Sequence, residues 1–199
     1  PLGIGTAVYI SEIAPRWMRE ILKPLVELLG GLPSVVLGFL GILLVSPFLR
    51  VFLDLPTGLT AFTGSLLLGG IAVPTIVSVA EDALDAVPRS YREGAWALGA
   101  TRWQTIWRVT LPAAKSGVLT AVMLGVGRAI GETMTVMMVT GNAPVLAIKL
   151  GSWFSPVRTM TATIAAEMGE VANGSEHYQT LFAIGIVLFV ITLIINTLA

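Results

Sequence analysis

Long apolar runs alternate along this chain with a few short stretches that hold most of its charge. Four of the runs, 28–49, 59–80, 117–140 and 181–198, are uncharged or nearly so. At about 1.5 Å of rise per residue each is long enough to cross a hydrocarbon layer of about 30 Å. The pattern therefore predicts an all-α membrane protein, a polytopic helical bundle. The first run holds Pro33 and Pro47 and the second Pro74, which membrane helices tolerate when neighbours re-satisfy the freed carbonyls, so bent or interrupted helices are expected. Residues 1–10 are apolar but too short to span, and they lack the basic flank and cleavage site of a signal peptide. They read as the end of a preceding span, and the chain as a core truncated at both ends. Residues 141–178 are polar for the most part. Met160, Ile164, Met168 and Val171 recur there at helical spacing, which predicts a short amphipathic helix rather than a fifth span.

Composition agrees with a lipid environment: 55% of the 199 residues are hydrophobic and 12% are charged, where soluble domains carry about 25% charge. The zero net charge says little, but the placement of the 12 Lys and Arg residues is informative. Arg16, Arg19 and Lys23 precede the first run, and Arg89, Arg92, Arg102, Arg108 and Lys115 lie between the second and third. Two spans separate these groups, so they share a face. That face outweighs the other, which holds Arg50, Lys149 and Arg158, and by the positive-inside rule it is cytoplasmic. Cysteine is absent, which removes disulfides and thiol chemistry.

The basic segment between the second and third runs carries strong local signals. Ser90 with Glu93 has the spacing of a capping box, Gly99 is a helix stop, Thr101 with Gln104 is a second capping box, and Pro112 closes the segment. Two short helices joined at Gly99 are predicted. A DNA-reading helix-turn-helix has a similar outline, but flanking spans pin this one to the bilayer, so no nucleic acid is expected and a docking surface for a protein partner is.

The run EGAWALGATRWQTIWRVTLP closely resembles the EAA loop of ABC importer permeases, with Glu93, Gly94, Ala95, Gly99, Val109, Leu111 and Pro112 at the patterned places. Gly94 stands where the pattern has Ala and Val109 where it has Ile. The resemblance implies the core of a type I ABC importer permease, whose EAA hairpin inserts into a separate ATPase subunit. Since the chain has no G-x-x-x-x-G-K-[ST] sequence, no cofactor is expected in it, and ATP and Mg would be bound by a partner ATPase dimer. GRAIGETMTVMMVTGN and GLPSVVLGFLG resemble the paired permeases of the phosphate-specific importer, and EHYQTLFAIG resembles the PstC-type member more than the PstA-type. This implies a PstA-like second permease, a periplasmic phosphate-binding protein, phosphate as cargo and a bacterial inner membrane. Another oxyanion such as molybdate or sulfate is the alternative cargo.

Within the third run, Arg128 and Glu132 lie one helical turn apart. A charge at the centre of a membrane helix costs about 2.5–3.5 kcal/mol on insertion scales, so neither should face lipid. The pair is either self-neutralising scaffold or part of an anion route, in which the Arg128 guanidinium offers two-pronged hydrogen bonds to phosphate oxygens and Glu132 holds Arg128 or meets a basic residue of the second permease. Thr133 and Thr135 either offer hydroxyls to the substrate or bond back to their own helix. Gly127 and Gly131 form a G-x-x-x-G stripe, which is more often a close helix contact than a substrate contact.

Elsewhere, His177 reads as a solvated loop histidine and Tyr178 as an interfacial anchor. Trp17 fits an interface belt; Trp96, Trp103 and Trp107 pack the hairpin against the bundle or the ATPase. Glu167 and Glu170 form a solvated face or meet the external binding protein. An intramembrane protease or lipid hydrolase needs His, Asp or a metal motif inside a span, and the four runs contain no His or Asp. A passive channel has no use for the EAA hairpin. The chain is therefore expected to be a transport subunit and not an enzyme.

Overall fold

The computed structural model describes residues 1–144 and 150–198, and among them it is helical with no strands beyond an isolated bridge between Gly141 and Val157. Helix α1 is Leu2–Ile13, α2 is Arg16–Gly31, α3 is Ser34–Phe52, α4 is Ala61–Asp85 and α5 is Arg89–Ala97. They are followed by α6, Arg102–Ala113; α7, Lys115–Gly131; α8, Met134–Val139; α9, Met160–Glu167; and α10, Glu176–Leu198. By length and composition α3, α4 and α10 can each cross a membrane, and α6 with α7 make a fourth candidate bent by 73°. The protein is thus a multi-pass membrane protein.

Three of these helices contain one wider turn, and the cause is the same each time. At Tyr9–Ile13, Gly41–Val45 and Ile106–Thr110 the backbone widens to a π turn, closed by an i→i−5 bond from Ala14, Ser46 and Leu111. The next residue is proline in every case: Pro15, Pro47 and Pro112. A proline ring clashes with the carbonyl of residue i−4 and donates no hydrogen bond, and the wider turn moves that carbonyl away. Pro33 acts more severely. It separates α2 from α3, so the apolar run at 28–49 is divided and the long helix runs Ser34–Phe52 instead. Pro74 sits inside an unbroken α4. That helix is capped at its start, where Thr60 Oγ1 accepts from Thr63 N at 3.2 Å.

The chain forms two compact units. The first comprises 1–31 and 71–127. Its core joins Ala7 and Ile10 of α1, Val77, Ala80 and Leu84 of α4, Ile106 of α6, and Val118 and Ala121 of α7. Gly125 permits the closest approach in this unit, since a Cβ there would collide with Ile76 of α4. The second unit comprises 32–70 and 128–197. In it α3 lies against α8, and a Cβ on Gly38 would sit 2.9 Å from Met138 Sδ and 3.0 Å from Thr135 Cα. The close contact expected along the stripe of Gly127 and Gly131 does not form at Gly131. A Cβ on Gly131 would meet open space, and helices approach closely at other glycines, among them Gly3, Gly117 and Gly125 in the first unit and Gly38, Gly41 and Gly64 in the second.

Candidate functional site

The hairpin of the first unit is built by local chemistry at its corner. Helix α5 ends in a Schellman turn: Gly99, at φ +79°, donates to Trp96 O at 2.9 Å, and Ala100 donates to Ala95 O at 3.0 Å. Thr101 then starts α6 with a complete capping box, its hydroxyl accepting from Gln104 N at 3.3 Å and its N–H donating to Gln104 Oε1 at 2.9 Å. The box expected at Ser90 and Glu93 does not form. Pro88 is the N-cap, with its carbonyl accepting from Tyr91 N at 3.1 Å. Ser90 is thereby already inside the first turn, where a hydroxyl cannot cap.

The corner is presented outward. Glu93, Gly94 and Gly99 are exposed, Leu98 is 90% exposed, and Tyr91, Trp96, Trp103 and Trp107 are each about half exposed or more. Trp103 and Trp107 meet edge to face at 5.6 Å. Ala95, Val109 and Leu111 are partly covered, Leu111 packs on the core, and Pro112 is exposed.

Sequence reasoning missed the polar clamp behind this surface. Arg92 donates to Glu12 Oε1 from Nε at 3.0 Å and from Nη2 at 2.6 Å, to Val87 O at 2.7 Å, and to Leu84 O at 2.9 Å. Arg102 donates to the main-chain oxygen of Glu12. Further along α4, the carboxylate of Glu81 is 1% exposed and lies between Arg19 at 2.8 Å and Lys23 at 2.6 Å. Asp82 also pairs with Lys23, and Asp85 with Arg19 and Ser11. These pairs explain why α4 continues to Asp85, past its apolar run: its acidic end is matched by the basic side of α2. The bond from Glu81 holds the Lys23 ammonium above its ordinary value of 10.5, against the desolvation that works the other way. Ser11, Glu12, Arg19, Asp85, Arg89, Arg92, Glu93, Trp96 and Arg102 line a cleft of about 690 Å³ between the hairpin and the ends of α1 and α4. The only sequence signal for the clamp was the basic charge already used for orientation.

The third apolar run is not one helix. Helix α7 stops at Gly131 and α8 begins at Met134, so Glu132 and Thr133 stand in a break and the regular i, i+4 spacing expected for Arg128 and Glu132 does not hold. Glu132 N bonds Ala129 O at 3.4 Å, a tightened i→i−3 contact. Its Oε1 accepts from Thr135 N at 3.3 Å, taking the donor that a continuous helix would give to Gly131. The buried Thr135 hydroxyl donates across to Ser34 O at 2.9 Å, and Thr161 donates to Glu132 O at 3.2 Å. Thr133 bonds back to Gly131 O at 3.4 Å. Arg128 is half-buried in the last turn of α7.

The predicted amphipathic helix corresponds to α9, Met160–Glu167, so Met168 and Val171 fall beyond its last residue. Glu167 and His177 are not merely solvated. Glu167 pairs with Arg158 and, at 2.7 Å, with His177 Nε2. The His177 contact, aided by Arg158, holds the Glu167 carboxyl below its ordinary value of 4.5. Lys149, counted above on this face, lies outside the described residues.

The sequence pattern of the family described as "Binding-protein-dependent transport system inner membrane component" matches residues 1–199. The chain belongs to that family. This binding-protein-dependent transport component is similar to the probable ABC transporter permease protein YqgH of Bacillus subtilis, 45% identical over 192 residues, which cover 96% of this chain and 61% of that protein. It is also similar to phosphate transport system permease proteins PstC. That of Mesorhizobium japonicum is 37% identical over all of this chain and 65% of its own length, and that of Pasteurella multocida 34% identical over all of this chain and 67% of its own. The chain thus spans about two thirds of the length of the curated relatives it matches. Family membership makes the exposed hairpin, with its held-back clamp, a feature of a transport-system component.

Proposed function

We propose that this chain is a permease subunit of an ATP-driven importer that passes inorganic phosphate across a bacterial inner membrane. A PstA-like permease would complete the path, a periplasmic binding protein would deliver the phosphate, and an ATPase dimer holding ATP and Mg would drive it. The observation that carries this reading is the hairpin: a rigid corner set by Gly99 and Thr101 that exposes Glu93, Trp96 and Leu98 together. Exposed apolar residues gathered beside charge mark a protein interface. The whole-chain family match and the names of the PstC relatives support the importer and its cargo. The basic groups around the hairpin, Arg89, Arg92, Arg102 and Arg108, favour the cytoplasmic side for it.

For the pathway, Arg128 is the group suited to phosphate, because a guanidinium meets two oxygens of an oxyanion at once. Glu132 has one carboxylate oxygen committed to the start of α8, so its first task is to hold the helix break open. A break of this kind at membrane depth is tolerated where it is covered by protein or lines a cavity. Thr135 is spent on Ser34, which leaves Thr133 as the more available hydroxyl of the two. The test is uptake of labelled phosphate, molybdate and sulfate by cells producing the full system, alongside co-purification of the ATPase. Phosphate uptake with the ATPase retained is the expected result. Preference for molybdate or sulfate would reassign the cargo, and loss of the ATPase would remove the docking role.

A further inference from the structure

The clamp behind the hairpin does more than hold it in place. Arg92 makes four hydrogen bonds: two end on Glu12 near the end of α1, one on Leu84 O in the last turn of α4 and one on Val87 O in the link that follows it. Leu84 O belongs to the last turn of α4, where it also takes Val87 N at 3.3 Å, and Val87 O belongs to the link between α4 and α5. Glu12 lies in the π turn that closes α1, and its own main-chain oxygen takes Arg102 from α6. Both helices of the hairpin therefore grip the same residue of α1, and α5 also caps α4. The contact is sheltered, with the Arg92 side chain 14% exposed and that of Glu12 9%. A charged pair that is largely out of water cannot be exchanged for water without leaving a carboxylate stranded, so it resists being pulled apart. From the same end of α4, Glu81 and Asp85 reach on to Arg19 and Lys23 of α2. Polar contacts thus run without interruption from the hairpin to α1, α4 and α2. Nothing comparable is provided by the apolar contacts of this end, which slide more easily because they are non-directional.

We infer that Arg92 and Glu12 form a strut that converts displacement of the hairpin into displacement of α1 and α4, so that these two positioning residues couple ATP hydrolysis to transport. The inference rests on the docking role proposed for the hairpin, and its test keeps the two apart. The complete importer is reconstituted in liposomes with its ATPase, and three quantities are measured: ATPase retained on purification, ATP hydrolysed, and labelled inorganic phosphate moved per ATP. Glu12→Gln, Arg92→Gln and the double variant should all retain the ATPase and hydrolyse ATP. Phosphate moved per ATP should fall by about fivefold or more in each single variant, and the double variant should be no worse than Arg92→Gln.

These 199 residues contain no cysteine, so Glu12→Cys with Arg92→Cys, in an importer whose remaining cysteines are replaced by serine, gives a defined thiol pair. That variant should be uncoupled as made and regain its phosphate-to-ATP ratio when joined by one of a graded series of bifunctional thiol-reactive spacers. A parental ratio in the single variants, failure of every spacer to restore it, or loss of the ATPase from the variants alone would overturn the strut. Absence of the ATPase from the parent complex would instead overturn the docking role.

Discussion

Replacing Gly99 by valine tests how the hairpin's corner is made, and the cost can be worked from the backbone. Gly99 has φ +79°, and a Cβ built there meets nothing within 4 Å. No clash contributes, so the penalty is the conformation alone: about 1–3 kcal/mol for a non-glycine residue in the left-handed region, with a β-branched side chain at the upper end. At about 2 kcal/mol the population with the native corner falls roughly 30-fold relative to deformed ones. The transmembrane helices are untouched by this, so membrane insertion and expression should stay near the parent level. ATPase retention and phosphate uptake should fall. Asparagine adopts the left-handed region more readily than other non-glycine residues, so Gly99→Asn should recover most of both. Gly94 is an internal control: it is helical, equally open to a Cβ, and Gly94→Ala should be neutral or stabilise α5 by about 0.5–1 kcal/mol. The measurement is the amount of ATPase co-purified with each variant at equal permease, followed by uptake. Normal retention in Gly99→Val, or an Asn variant as poor as the Val variant, would refute the reasoning.

The remaining expectations concern the second unit. Arg128→Gln should abolish phosphate uptake and Glu132→Gln, which keeps an acceptor for Thr135 N, should preserve the helix break; recovery of uptake to near the parent rate in the double variant would remove Arg128 from the pathway. Gly38→Ala forces its Cβ against Thr135 Cα and Met138 and should lower thermal stability by about 1–3 kcal/mol, whereas Gly131→Ala, which meets open space, should be tolerated, as detergent-solubilised melting curves would report. The Glu167 carboxyl is held below 4.5 in the folded chain, so the stability it adds is present above that value and is lost as pH falls through the lowered one. His177→Gln removes the largest cause of the lowering, so protease sensitivity of the segment around α9 should set in at a higher pH on acidification; an unchanged onset would show that the pair contributes nothing.

What the sequence alone determined was whatever depends on neighbours within a turn or two. The four apolar runs fixed the membrane class, because hydrocarbon thickness sets a length that composition either meets or does not. The Gly99 corner and the Thr101 box were legible because their donors and acceptors lie within five residues of each other. Even local signals had limits: Ser90 and Glu93 had the right spacing, but Pro88 started the helix two residues early. Spacing does not say which residue begins a helix when two can.

Tertiary structure decided the rest. Arg92 and Glu12 are 80 positions apart, and Arg19 and Glu81 are 62 apart, so no periodicity relates them. Each was visible only as a charge near a span. The break at Glu132 was decided by competition. A continuous helix would satisfy the same backbone groups, and the balance tips because Ser34 takes the Thr135 hydroxyl and Thr161 reaches the Glu132 carbonyl. Those partners come from α3 and α9, a hundred and some thirty residues away along the chain, and only folding brings their oxygen atoms within hydrogen-bond range.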